Sequence, residues 1–106
     1  LLLVPSRNEG MPLRVLEAQS CGLPVVGSKI PGIIDVVKDG ENGRLLTLND
    51  VDGFVAAIKD YYLLWKKSPE RCYEMNKIIR KKIIQQYDWN RVIYKLENLF
   101  TKVVRW

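Results

Sequence analysis

Apolar and polar positions follow one another along this chain at two different periods. Leu1 to Val4 is an unbroken apolar run, and Leu23 to Gly27 is a second one, rich in valine. Short apolar runs bounded by Pro5 and Gly22 fit strands buried on both faces of a parallel sheet. Arg44 to Leu48 reads as a third strand. Between the first two runs the period lengthens. Pro12 suits the first turn of a helix, where its missing N–H costs nothing. From there to about Cys21, the positions Leu13, Val15, Leu16 and Ser20 recur at helical spacing, and Gly22 supplies the stop. Ile33 to Lys38 reads as a short helical turn. Asp39-Gly40-Glu41-Asn42-Gly43 is a turn cluster by composition.

The second half of the chain is helical in pattern. Asn49 or Asp50 can cap a helix over about 50–67, with Val51, Phe54, Val55, Ile58, Tyr62 and Trp65 on its inner side. Ser68-Pro69 breaks it and opens another helix, in which Cys72, Met75, Ile79 and Ile83 recur at steps of three and four. Asp88 opens a last helix carrying Val92, Ile93, Leu96, Leu99, Phe100 and Val103, a stripe expected to join the core. The order β-α-β-α-β-α, then helices, predicts an α/β fold with a parallel sheet and crossover helices. Three short strands make half of a doubly wound sheet of about six. The chain therefore reads as the C-terminal half of a Rossmann-like sheet with extra C-terminal helices, residues 1–106 being a partial domain of a larger protein.

Composition narrows the function classes. A hydrophobic content of 47% excludes a disordered chain. No apolar run approaches the roughly 18–20 residues of a membrane span, and no charged-then-apolar leader is visible. The chain has no histidine, so it supplies neither a histidine general base nor a histidine-bound zinc. Cys21 and Cys72 lack metal-ligand spacing and read as buried free thiols in a reducing cytosol. The net charge is +5, with Lys66, Lys67, Arg71, Lys77, Arg80, Lys81 and Lys82 clustered. That cluster is a solvated helix face or, in the sharper reading, a contact for an anionic partner such as a membrane surface. No stacking-aromatic pattern accompanies it, which argues against nucleic acid.

Chemistry concentrates between Pro5 and Val26. Residues 5–11 lie at the carboxyl end of the first strand, where open parallel sheets bind ligands. The loop hands over to a helix N-terminus, whose unpaired N–H groups and partial positive charge attract phosphate. Gly10 allows close backbone approach, and Met11, Leu13 and Arg14 have amides to offer, whereas Pro12 has none. Glu17 falls about five residues into the helix, roughly 7–8 Å along its axis. A ribose attached to a phosphate at the helix start would reach a carboxylate there, which accepts strong charge-assisted hydrogen bonds from hydroxyls. Glu9, on the loop, could meet hydroxyls of a sugar beyond a diphosphate. Taken alone, two glutamates eight positions apart are a spacing that chance supplies freely. Glu17 reads equally as a helix-surface charge, and Glu9 as a charge serving the first helical turn.

The full string is more specific. Glu-Gly-x-Pro-Leu-x-x-x-Glu-Ala-x-x-x-Gly-Leu-Pro-Val-Val, from Glu9 to Val26, resembles the donor-site signature of the retaining glycosyltransferases with two Rossmann-like domains (the GT-B fold, group 1 or family 4). These include capsule and lipopolysaccharide sugar transferases and sucrose synthases. Gly32 to Leu46 resembles the family's next segment, and a weaker likeness continues through Tyr87-Asp88-Trp89. Met11 stands where an aromatic is frequent, and Asp35 replaces a usual glutamate.

The resemblance implies a nucleotide-sugar donor domain. Glu17 would bind the ribose. Glu9 would contact the transferred hexose and stabilise positive charge at its reacting carbon. Backbone amides at Gly10, Met11 and Leu13 would hold sugar hydroxyls or phosphate oxygens. It further implies hexose transfer from a nucleoside-diphosphate sugar to a glycan or lipid-linked acceptor with retention, no metal or other cofactor, and a cytoplasmic location; a further reading, peripheral contact with the inner membrane face, rests on the basic segment 66–82 alone. The family's diphosphate-neutralising arginine and lysine and its acceptor domain lie upstream of residue 1, and Arg7 and Lys29 are weak substitutes. The alternative reading is a non-catalytic nucleotide-sugar-binding or interaction module.

Overall fold

The computed structural model describes residues 1–104. Three strands, β1 (Leu2–Val4), β2 (Val25–Ser28) and β3 (Gly43–Leu46), form one parallel sheet in the order β1-β2-β3. Leu2 pairs with Val25, and Val25 in turn with Gly43. Helices α1 (Leu13–Ser20) and α2 (Ile33–Val36) make the two crossovers, and α3 (Val51–Lys67), α4 (Pro69–Tyr87) and α5 (Trp89–Val104) follow. The predicted fold class and element order are those observed.

Local chemistry explains the boundaries. Helix α1 ends at Cys21, and Gly22 turns the chain with a φ of +86°. A Cβ at Gly22 would also stand 2.7 Å from the Asn76 carbonyl oxygen, so α4 packs directly on this turn. Asn42 shapes the α2–β3 turn: its Nδ2 donates to the Val36 carbonyl at 3.1 Å, and its Oδ1 accepts from the Lys38 amide at 2.8 Å. Asp50 caps α3 by accepting from the Gly53 amide at 2.9 Å, and Pro69 occupies the first turn of α4.

The core is small. Val4, Val15, Val25, Ile30, Ile33, Val36, Val37 and Ile83 form it, so β1, β2, α1, α2 with its flanking residues, and the C-terminal part of α4 meet there. β2 is buried along its whole length. The Cα radius of gyration is 16.4 Å, against about 13 Å for a compact domain of this size. The chain is therefore extended rather than closed on itself.

Several expected burial faces differ. β1 was expected to be covered on both sides, but it is an edge strand and Leu1 and Leu3 are exposed. On α1 the buried residues are Val15 and Gln19, while Leu13 is exposed, because the face turned toward the core and α4 lies a residue or two round from the apolar count. On α3 only Ala57 is fully buried, with Phe54, Ile58, Tyr61 and Leu64 half-buried beside it, while Val51, Val55, Tyr62 and Trp65 are exposed. Most marked is α5: it packs against α4 yet buries no residue, and Ile93, Leu96, Leu99, Phe100 and Val103 all face solvent. α4 matches closely, with Ile79 and Ile83 buried and Met75 half-buried; of the two thiols expected to be buried, Cys72 is half-buried on α4 and Cys21 is exposed, because it follows the last turn of α1.

Candidate functional site

The sheet runs parallel, so the loops leaving the carboxyl ends of β1 and β2 share one rim. The Ser28 hydroxyl donates to the Val4 carbonyl at 3.5 Å, tying the two strand ends together. The loop after β1 carries Glu9, Gly10 and Met11 and leads into α1, which carries Arg14 and Glu17.

Glu9 is held. The Ser6 hydroxyl donates to its Oε1 at 2.9 Å, the Arg14 guanidinium donates to the Ser6 oxygen at 3.1 Å, and the same guanidinium nitrogen pairs with Glu9 Oε1. These donors favour the ionised form, the Ser6 bond most and the Arg14 bond next, and hold the carboxyl below the usual glutamate range. Oε2 has no partner among the described residues and is open to solvent. Glu17 is exposed on the outer face of α1, with Leu13 four residues before it, and its carboxylate makes no hydrogen bond or ion pair with the described residues. Both carboxylates are thus available on the loop–helix surface.

The backbone is arranged more narrowly than the sequence suggests. The Leu13 amide, expected to be free, donates to the Met11 carbonyl at 2.9 Å, because the chain turns tightly around Pro12 before α1 begins. The amides of Gly10, Met11 and Arg14 have no acceptor among the described residues. Pro12 is the residue before the helix rather than its first, with no side-chain cap on the first turn. Nothing lies within 4 Å of a Cβ built on Gly10, so the space there is open to a ligand.

From the neighbouring loop, Gly32 supports this one. It has a φ of +85°, and a Cβ there would overlap the Glu9 carbonyl oxygen. Ser6, Gly32 and the Arg14 side chain carry no role in the motif reading. Arg14 stands five residues from Glu9 across a loop–helix junction, and Gly32 is distant in sequence, so no periodicity marks either. Arg7 and Lys29 are exposed and form no ion pair with the described residues. A surface recess lies elsewhere, on α4, lined by Glu41, Glu70, Arg71, Glu74, Met75 and Ile78. The loop–α1 surface is one open wall.

The sequence profile described as "Glycosyl transferases group 1" matches residues 1–82. The chain belongs to this glycosyltransferase family. It is 35% identical over 105 residues, 98% of its length, to the UDP-Gal:alpha-D-GlcNAc-diphosphoundecaprenol alpha-1,3-galactosyltransferase of Escherichia coli, covering 26% of that protein. It is 28% identical over 99% of its length to the N-acetyl-alpha-D-glucosaminyl L-malate synthase of Bacillus anthracis, again covering 26% of it. Among solved structures, the sucrose-phosphate synthase of Thermosynechococcus elongatus superimposes with a TM-score of 0.80 over 96% of this chain and 25% of that one, at 24% identity. That likeness shows the GT-B fold. The chain spans about a quarter of the length of each of these two relatives.

Proposed function

We propose that the protein containing this chain transfers a hexose from a nucleoside-diphosphate sugar to an acceptor hydroxyl with retention at the anomeric carbon. The bond from that carbon to the diphosphate breaks, and a bond to the acceptor oxygen forms on the same face. The observation that carries this reading is the rim itself: a free carboxylate at Glu17, a held one at Glu9 and unpaired amides between them, in a group 1 glycosyltransferase.

The roles follow from position. Glu17 accepts hydrogen bonds from the two ribose hydroxyls. The Gly10, Met11 and Arg14 amides face phosphate or sugar oxygens near the positive end of α1. Leu13 contributes its exposed side chain as an apolar edge, since its amide is engaged in the ligand-free structure. Glu9, ionised, orients the sugar and stabilises positive charge as the glycosidic bond loosens, an effect that depends on fixed geometry. No resident metal is needed in this scheme, and the diphosphate is neutralised by basic groups outside this chain.

The acceptor we propose is a lipid-linked glycan at the cytoplasmic membrane face. The name of the Escherichia coli relative specifies a lipid-diphosphate acceptor. Here, Lys66, Lys67, Arg71, Lys77, Arg80, Lys81 and Lys82 are all exposed on α3 and α4, which suits peripheral contact with anionic lipid. No helix among the described residues is long and apolar enough to cross a membrane.

The test is transfer by the purified full-length protein from a panel of uridine- and guanosine-diphosphate hexoses to a sugar–diphosphate–lipid acceptor, with the product's anomeric configuration read by NMR. Transfer with retention is the expected result. Inversion overturns the mechanism. Nucleoside-diphosphate binding without transfer to any acceptor favours the binding-module alternative.

A further inference from the structure

We propose that Arg14, working through Ser6, is a positioning residue for Glu9, fixing one carboxylate oxygen so that the other is presented to the sugar. This rests on the donor-site reading above and adds a residue to it. The geometry is a closed triangle. Arg14 donates to the Ser6 oxygen at 3.1 Å, Ser6 donates to Glu9 Oε1 at 2.9 Å, and Arg14 pairs with the same Oε1. Both donors meet on one oxygen, leaving Oε2 without a partner among the described residues.

The need for such a device follows from where Glu9 sits. Its loop has no helical or strand bonds to stiffen it, and a glutamate has several rotatable bonds to order. A guanidinium is permanently charged and presents a planar set of donors, so it holds a carboxylate in a defined plane at any working pH. Ser6 narrows the choice further. Its hydroxyl accepts from Arg14 and so has its single proton left for Glu9. Arg14 is rooted on α1 three residues before Glu17, so the clamp joins the loop carboxylate to the helix that carries the other one. The Arg14 side chain is 61% exposed and that of Glu9 19%; salt therefore weakens the attraction, and the hydrogen-bond geometry carries the role.

Arg7 shares the loop of Glu9, Arg14 lies on α1, and Lys29 and Asp35 stand three residues to either side of Gly32 in the sequence. Of these, Arg14 is the one that bears on the Glu9 carboxyl, together with the Ser6 hydroxyl.

The test uses the full-length protein with Arg14→Met, Arg14→Lys, Ser6→Ala and Glu9→Gln, and the Glu9→Gln/Arg14→Met double variant. Arg14→Met is expected to lower kcat about tenfold or more, since small misplacements of a reacting group are costly. Nucleoside-diphosphate affinity stays near wild type, because Glu17 and the α1 amides are untouched. The acid limb of kcat/KM moves to higher pH, because a stabiliser of the ionised carboxylate is gone. Arg14→Lys recovers part of the rate, and Ser6→Ala shifts the acid limb in the same direction. In the Glu9→Gln background, Arg14→Met has no further effect, the signature of two groups acting as one.

Wild-type kcat and an unmoved acid limb for Arg14→Met, beside an impaired Glu9→Gln, would overturn the clamp and leave the donor-site reading standing. A further loss from Arg14→Met in the Glu9→Gln background would overturn it too, by showing that Arg14 acts independently. Wild-type turnover in Glu9→Gln itself would remove both the clamp and the role of Glu9.

Discussion

Gly32 lies directly beneath Glu9. A Cβ on Gly32 would overlap the Glu9 carbonyl oxygen and stand 2.5 Å from that of Gly10, and its φ of +85° belongs to glycine. The loop that presents Glu9 is therefore shaped by the loop after β2. Gly32→Ala is expected to destabilise the fold by about 1–3 kcal/mol through backbone strain and to displace residues 9–10. Melting temperature and kcat should both fall. A variant with wild-type values for both would show that the contact does not support the site.

Glu9 should remain ionised under acid conditions that protonate an ordinary glutamate. The Ser6 hydroxyl, then Arg14, depress its pKa in the folded state. A depressed folded value gives stability that is present above the unfolded value and lost as pH falls through the folded one. The window thus lies below the ordinary glutamate range, and because the Arg14 partner is largely exposed, solvent screens the pair and the effect should register on activity rather than on unfolding. The acid limb of the kcat/KM profile is expected below that range. An acid limb at or above it would contradict the assignment of Glu9 as the ionised partner.

Gln19 is fully buried on α1. Its Nε2 reaches the Asn42 carbonyl at only 3.4 Å, and its Oε1 has no partner. A buried acceptor without a donor is a liability of about 1–3 kcal/mol, whereas an apolar side chain of similar shape avoids it. The Asn42 carbonyl also accepts the Val25 amide at 3.3 Å and keeps that bond. Gln19→Met is expected to leave stability unchanged or raise it by up to about 1 kcal/mol in a denaturant titration. A clear loss would mean that the Gln19 oxygen has a partner, such as a buried water.

The order of strands and helices was legible because its punctuation is local. Pro5, Gly22, the capping Asp50 and Ser68-Pro69 each act within a turn of where they stand. The faces were not legible. On α1, Leu13 is exposed and Leu16 only half-buried against the core, while Val15 and Gln19 are fully buried, because burial is decided by where α4 crosses. The α5 stripe is the clearest case: its spacing is correct for packing, but no element of residues 1–104 covers it. At the site, the Glu9–Glu17 spacing could be read from the motif. The Arg14–Ser6 clamp, the Gly32 support and the engaged Leu13 amide depend on the path of an irregular loop, and no spacing rule encodes that.

Contact with a membrane predicts a charge-dependent interaction. In liposome sedimentation, the full-length protein should bind vesicles containing anionic lipid more strongly than neutral ones. Reversing Lys81 and Lys82 to glutamate should weaken that binding by at least tenfold, each basic residue near such a surface being worth about 1 kcal/mol. Equal binding to both vesicle types would remove this part of the account.

The division of labour between Glu17 and Glu9 is tested most directly by measuring nucleoside-diphosphate affinity and turnover together for Glu17→Ala and Glu9→Ala in the full-length protein. Loss of hydrogen bonds from a charged acceptor should cost Glu17→Ala about 1.5–3 kcal/mol, or roughly 10- to 100-fold in Kd. Glu9→Ala should bind the nucleoside diphosphate nearly as well as wild type, while kcat falls about 100-fold or more. Wild-type affinity and turnover in both variants, or the reverse assignment of the two losses, would contradict the account.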